Sequence, residues 1–143
     1  MKTLDLNTEF PRSPRELLAG YVIAGRALDK CRAVIAGTQG EYNFACPLDN
    51  VFFDFSGINA DQFKDLVASG ADDEAVAEWI LENSKVKELR EVIRWNNDLR
   101  DKRISEMPIE LQEFLETYIP QFIPAGKMVY RWFDVYDIEE GRI

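Results

Sequence analysis

The sequence predicts an all-α (mostly α) fold: a single compact domain over residues 1–143, built from about six helices, with at most a minor extended or two-stranded element. Three observations carry this reading. Apolar residues recur at helical spacing, as in Leu17, Tyr21, Ala24, Leu28, Cys31 and Ile35, which share one face at about 100° per residue. Helix start signals stand ahead of such stretches, at Ser13-Pro14 with Glu16, at Asn59 with Gln62 and at Asp72. Glycine or proline closes them, at Gly37, Gly57, Gly70 and Pro120.

In order along the chain, Ser13 caps a first helix with Pro14 in its first turn, running to about Ala36. Ile23 and Val34 fall nearly opposite its main apolar face, so this helix is expected to cross the middle of the domain. Glu41 to Pro47 alternates, with Tyr42, Phe44 and Cys46 pointing one way, and reads as a short extended segment. Asp49 caps a short helix through Val51, Phe52, Phe53 and Phe55. Asn59 and Asp72 then open the two arms of an αα-hairpin. Ser84 starts a long helix to about Arg103, and Pro108 starts another that stops near Pro120. The tail from Met128 to Tyr136 fits helix and strand almost equally, with helix slightly favoured.

Composition narrows function mainly by exclusion. A chain of 143 residues buries roughly 68% of its unfolded surface, so neither a metal nor a disulfide is needed, and no cofactor is expected. There is no histidine, which removes Ser-His-Asp and Cys-His mechanisms, histidine metal sites and the simplest neutral-pH base. The net charge of -9 argues against nucleic acid or an anionic membrane as partner. Residues 84–103 are net +3, with Lys87, Arg90 and Arg94 in a stripe, but their acidic neighbours are the expected counterpart. No apolar run approaches the roughly 20 residues of a membrane span, and the opening from Met1 to Phe10 has no signal-peptide core. Two cysteines form no CxxC and no scaffold. A cytoplasmic protein with free thiols is expected.

Several stretches resemble a bacterial family known as the domain of unknown function numbered 5069. They are Leu4-Asp5-Leu6 with Pro11-Arg12-Ser13-Pro14-Arg15, Arg26 through Arg32, Gly40 through Asp49, and Trp132-Phe133-Asp134 with Asp137 and Glu139-Glu140-Gly141-Arg142. The resemblance spans essentially the whole chain and implies a soluble, mostly helical protein. It brings no activity, substrate or catalytic residue. The position of Asn43 is often histidine in that family, so a function resting on that histidine would be missing here.

Among chemistry-bearing groups, no GxGxxG, P-loop or GxSxG pattern occurs. The acids at Asp72-Asp73-Glu74 and Glu139-Glu140 read as helix-terminus charges. The ligand-binding candidates are Arg26, Asp29, Lys30 and Arg32 on the first helix. Arg32 lies beside an apolar face and needs a counter-charge, either Asp29 or a loop carboxylate such as Asp49; the alternative is an absent carboxylate or phosphate ligand. Cys31 and Cys46 are the redox candidates, against two core residues or, with Asp49 or Asp54, a metal; core is preferred and no metal is expected. Asp54, among phenylalanines, either projects outward or is desolvated. The leading expectation is a non-enzymatic intracellular binding or regulatory protein, whose partner is another protein or a small anionic ligand. The rival is a small-molecule-binding enzyme or thiol sensor using the Arg26–Arg32 segment with Cys31 and Cys46.

Overall fold

Seven α-helices and one 3-10 turn form in the computed structural model, which describes residues 3–143. The chain packs as two units, Met1–Val92 and Ile93–Ile143. Met1 and Lys2, part of the opening stretch read above, lie outside the described residues. No sheet forms among the described residues; two isolated antiparallel bridges, Leu18 to Tyr21 and Arg103 to Arg131, are the strand-like features they show.

In the first unit, the expected long first helix is corrected to α1, Ala24–Ala36. The start signal at Ser13 operates, but for one turn. The Glu16 carboxylate accepts from the Ser13 N–H at 3.1 Å and the Arg15 N–H donates to Ser13 Oγ at 3.1 Å. Leu18 and Tyr21 then exchange two backbone hydrogen bonds of 3.0 Å across Ala19 and Gly20, both at positive φ. Ile23, also at positive φ, donates to the Pro14 carbonyl at 2.8 Å. This reversal spends the backbone groups that would have carried the helix through. Gly37, at φ 76°, closes α1 as expected.

The segment from Glu41 to Cys46 is a turn, not an extended strand, and Ala45 sits at φ 58°. The next helix, α2 (Pro47–Ser56), starts three residues earlier than the sequence suggested. Cys46 is its N-cap, Pro47 fills the first position, and Asp49 lies within the first turn. The start signals of α3 (Ala60–Ala68) and α4 (Asp73–Asn83) hold. Asn59 accepts from the Gln62 N–H at 2.9 Å, and Asp72 accepts from the Ala75 N–H at 2.9 Å. A core of rings fills this unit: Phe44, Phe53 and Phe63 contact one another, Trp79 joins at Phe63, and Tyr21 meets Phe52 edge-on at 5.3 Å.

Ser84 does not open the next helix. Its hydroxyl pairs with the Tyr21 hydroxyl at 2.5 Å and takes the Val86 N–H at 3.2 Å. That helix, α5 (Leu89–Asp101), begins in the first unit and continues in the second. The second unit adds the 3-10 turn Ile104–Glu106, α6 (Ile109–Phe122) and α7 (Trp132–Glu139). Pro120 sits inside α6, which runs two residues past the expected stop. Trp132 to Tyr136 is helical, the slightly favoured reading, whereas Met128 to Tyr130 has no regular structure and Arg131 makes the isolated bridge to Arg103.

Candidate functional site

Ten successive residues of α1, Ala24 through Ala33, are buried, and four of them are the charged candidates Arg26, Asp29, Lys30 and Arg32. A charge out of water needs a partner, since the unpaired ion costs several kcal/mol, on the order of 3–5. The partners differ from those the sequence suggested.

Asp29 is held by Arg12, not by Arg32. Arg12 donates from Nε at 3.1 Å, from Nη2 at 3.0 Å and from its own backbone N–H at 2.9 Å. This two-pronged geometry is the one in which guanidinium binds carboxylate most strongly. Gly25 makes it possible: a Cβ there would lie 3.3 Å from Arg12 Nε, so the guanidinium rests on the bare backbone of α1. Burial alone would lower the Arg12 pKa, but Asp29 and Asp73 outweigh it and raise it.

Arg32 reaches Asp73 in the first turn of α4 at 2.7 Å and the Ala71 carbonyl at 3.1 Å. The other oxygen of Asp73 takes Arg12 Nη1 at 3.1 Å, so one carboxylate bridges two arginines. Burial works to raise the Asp73 pKa, yet the Arg32 hydrogen bond and the charges of both arginines hold it below the usual carboxylate range. Arg26 donates to the Arg12 carbonyl at 3.2 Å and lies over the Tyr42 ring, 5.6 Å from its centroid.

Lys30 and Asp49 form a deeply buried pair. Their side chains are 4% and 0% exposed, with Nζ 3.0 Å from Oδ1. Lys30 also donates to Cys46 Sγ at 3.1 Å, and Asp49 Oδ2 accepts from the Ala45 N–H at 3.0 Å. Asp49 therefore serves Lys30, not Arg32. The cysteines are both free thiols in unlike settings. Cys31 is buried, and burial pushes its thiol up to about 12; Cys46 is half-buried. Asp54 is exposed and projects outward.

A cleft of about 500 Å³ opens beside this network, lined by Leu4, Arg12, Asp29, Arg32 and the acidic trio Asp72, Asp73 and Glu74. The redox candidates Cys31 and Cys46 do not line it. No group of three His, Cys, Asp or Glu side chains able to hold a metal gathers among the described residues.

The family model described as domain of unknown function (DUF5069) matches residues 8–142. The chain belongs to this family. No match to a curated protein was found. The DUF5069 chain thus combines a charged first helix with partners drawn from three other segments. Sequence reasoning missed two of those partners. Arg12 stands in a Pro-Arg-Ser-Pro-Arg stretch that by itself assigns it no role, and Asp73, at a helix start, reads from sequence as a terminus charge. The available signal was the surplus of charges on α1, which required counter-ions from elsewhere.

Proposed function

We propose that this DUF5069 protein is a non-enzymatic cytoplasmic binding or regulatory protein that acts through a surface of its second unit. Its partner, in this reading, is a protein segment that is both basic and apolar. One observation carries this: the exposed flank of α6. Phe114, Tyr118 and Phe122 form a ring row at helical spacing, with centroids 5.4 and 4.5 Å apart, and Phe114 and Phe122 are 47% and 51% exposed. Ile109 is exposed as well, and Glu110, Glu113 and Glu116 stand exposed on the same helix. Exposed rings along one helix flank, with Glu110 one turn ahead of Phe114, suit an amphipathic basic helix, which matches both features.

The charged groups of the first unit argue less for a ligand. Asp29, Lys30 and Arg32 all have protein counter-charges. The cleft beside them presents four acids against two arginines, a poor field for a small anion. Nucleic acid and anionic membranes are disfavoured by the net charge of -9, and no described helix is long and apolar enough to cross a membrane.

The test is fluorescence anisotropy with a labelled Leu/Lys amphipathic peptide of about four helical turns. Saturable micromolar binding is expected, weakened at least tenfold by Phe122→Ser and absent for the Leu/Glu counterpart. A labelled DNA duplex should show no salt-steep binding. Absence of peptide binding, or equal binding by the Phe122 variant, refutes the proposal.

A further inference from the structure

Cys46, Lys30 and Asp49 make a constellation independent of the α6 surface. Lys30 Nζ lies between the other two, 3.1 Å from Sγ and 3.0 Å from Asp49 Oδ1. Only the contact to sulfur has hydrogen-bond geometry; Asp49 Oδ1, wholly buried, has no hydrogen-bond partner. A buried ammonium thus directs a proton at a sulfur while the adjacent carboxylate matches its charge. A nucleophile within hydrogen-bond reach of a proton carrier, itself oriented by a third group, is the arrangement that activates thiols.

The backbone adds to this. Cys46 is the N-cap of the ten-residue α2, and its own side chain takes no hydrogen bond from the first turn. Asn50 N–H is taken by the Cys46 carbonyl at 2.9 Å and Pro47 has no N–H, which leaves the Leu48 and Asp49 N–H groups facing off the helix start. The turn holding Cys46 is fixed from both sides, by Ala45 N–H to Asp49 Oδ2 at 3.0 Å and by Asn50 Nδ2 to the Ala45 carbonyl at 3.1 Å. Negative charge on sulfur therefore meets an ammonium in a prearranged turn.

We propose that Cys46 is a peroxide-reactive thiol and that its modification is oxidation to the sulfenic acid by a small hydroperoxide. The Cys46 thiolate attacks one peroxide oxygen; the S–O bond forms as the O–O bond breaks. Sulfur gives up two electrons and the peroxide takes them. The departing hydroxide or alkoxide takes a proton from the Lys30 ammonium and leaves as water or alcohol. Lys30 regains the proton that the thiol released, so one thiol and one hydroperoxide yield one sulfenic acid and one water or alcohol.

The experiment exposes the native chain to hydrogen peroxide, traps sulfenic acid with dimedone and maps the adduct by peptide mass spectrometry. One adduct per chain is expected, on Cys46, forming at least about tenfold faster than at the same cysteine in the urea-unfolded chain. Cys31, buried and poorly ionised, should stay unmodified, and Cys46→Ser should abolish the adduct. Lys30→Gln, if circular dichroism shows it folded, should lose most of the acceleration. If it does not fold, the folded-to-unfolded rate ratio of the native chain decides alone. A ratio of one or less, equal labelling of Cys31, or full acceleration in folded Lys30→Gln overturns the proposal.

Discussion

Arg32 and Asp73 form a pair whose two halves differ sharply in exposure, and that difference predicts an inverted ranking of mutant stabilities. The Arg32 side chain is 5% exposed and that of Asp73 51%. The buried member is commonly expected to matter more. Consider, however, what each deletion leaves behind. Arg32→Met removes the buried ion together with its need for a partner, keeps most of the apolar stem, and leaves a carboxylate in water that still holds Arg12 at 3.1 Å. Its cost should be near that of a surface pair, about 1 kcal/mol. Asp73→Ala leaves the guanidinium buried, with the Ala71 carbonyl as its other hydrogen-bond acceptor. A buried charge losing its partner costs on the order of 3 kcal/mol or more. The helix cap does not confuse the comparison, because Asp72 is the N-cap of α4.

The assay is urea unfolding of both single variants and the double variant, with Asp29→Leu as a second cycle. Asp73→Ala should fall below Arg32→Met by about 2 kcal/mol, and the double variant should recover much of the gap. Coupling of Arg32 to Asp73 should exceed its coupling to Asp29, whose oxygens are taken by Arg12. If Arg32→Met costs as much as Asp73→Ala, the unmatched buried charge is not what ranks the two variants and the reasoning is refuted; a ligand role for Arg32 returns if Arg32→Met is stabilised.

Three further outcomes are expected. Asp73 is held below the ordinary carboxylate range in the folded protein, so its contribution is present above the unfolded value of about pH 4 and is lost as pH falls through the lower folded value; the stability gap between the native chain and Asp73→Asn should therefore close in acid, read from urea midpoints between about pH 2 and 6. Ala19 and Gly20 sit at φ 54° and 84°, the pattern of a type I′ turn that favours Asn-Gly, so Ala19→Asn should stabilise by about 0.5 kcal/mol in chemical denaturation; a loss would refute that turn. Gly25→Ala should destabilise by about 1 kcal/mol although alanine is the better helix former, because Arg12 is pinned to Asp29 and cannot yield to a Cβ 3.3 Å from Nε; a stabilised variant would show that the guanidinium does not rest on α1.

The helical class was legible because caps and stops are local chemistry. Asn59 with Gln62, Asp72 with Ala75, and the left-handed Gly37 and Gly57 each act within one turn of their own position, and each holds in the structure. Where the reading failed, a distant group had claimed the local one. Ser13 and Glu16 do bond as a helix start would, but Ile23 N–H goes to Pro14 and the chain reverses at Ala19-Gly20. Ser84 has the right residue type for a cap, yet its hydroxyl is taken by Tyr21, 63 residues away in sequence. Ile23 and Val34, opposite the main apolar face, do signal a central helix, and α1 is buried along ten successive residues.

The site shows the same limit more sharply. That Arg32 needed a carboxylate followed from one helix alone, because a buried guanidinium without a counter-charge is not a stable arrangement. Which carboxylate it takes depends on packing, and the partners of Asp29 and Arg32 stand 17 and 41 residues away. Those separations have a physical consequence. A pair between neighbours on one helix would hold in a partly folded chain, but these pairs exist only when the segment at Arg12, the start of α2 and the start of α4 are all seated against α1. Each charge left behind by a wrong seating would be buried and unmatched. The network therefore contributes little net energy relative to an apolar core, yet it penalises every other register of these segments. On that argument the buried charges of α1 specify which fold forms, and the two proposals for contact with other molecules rest on groups outside them, Cys46 and the exposed rings of α6.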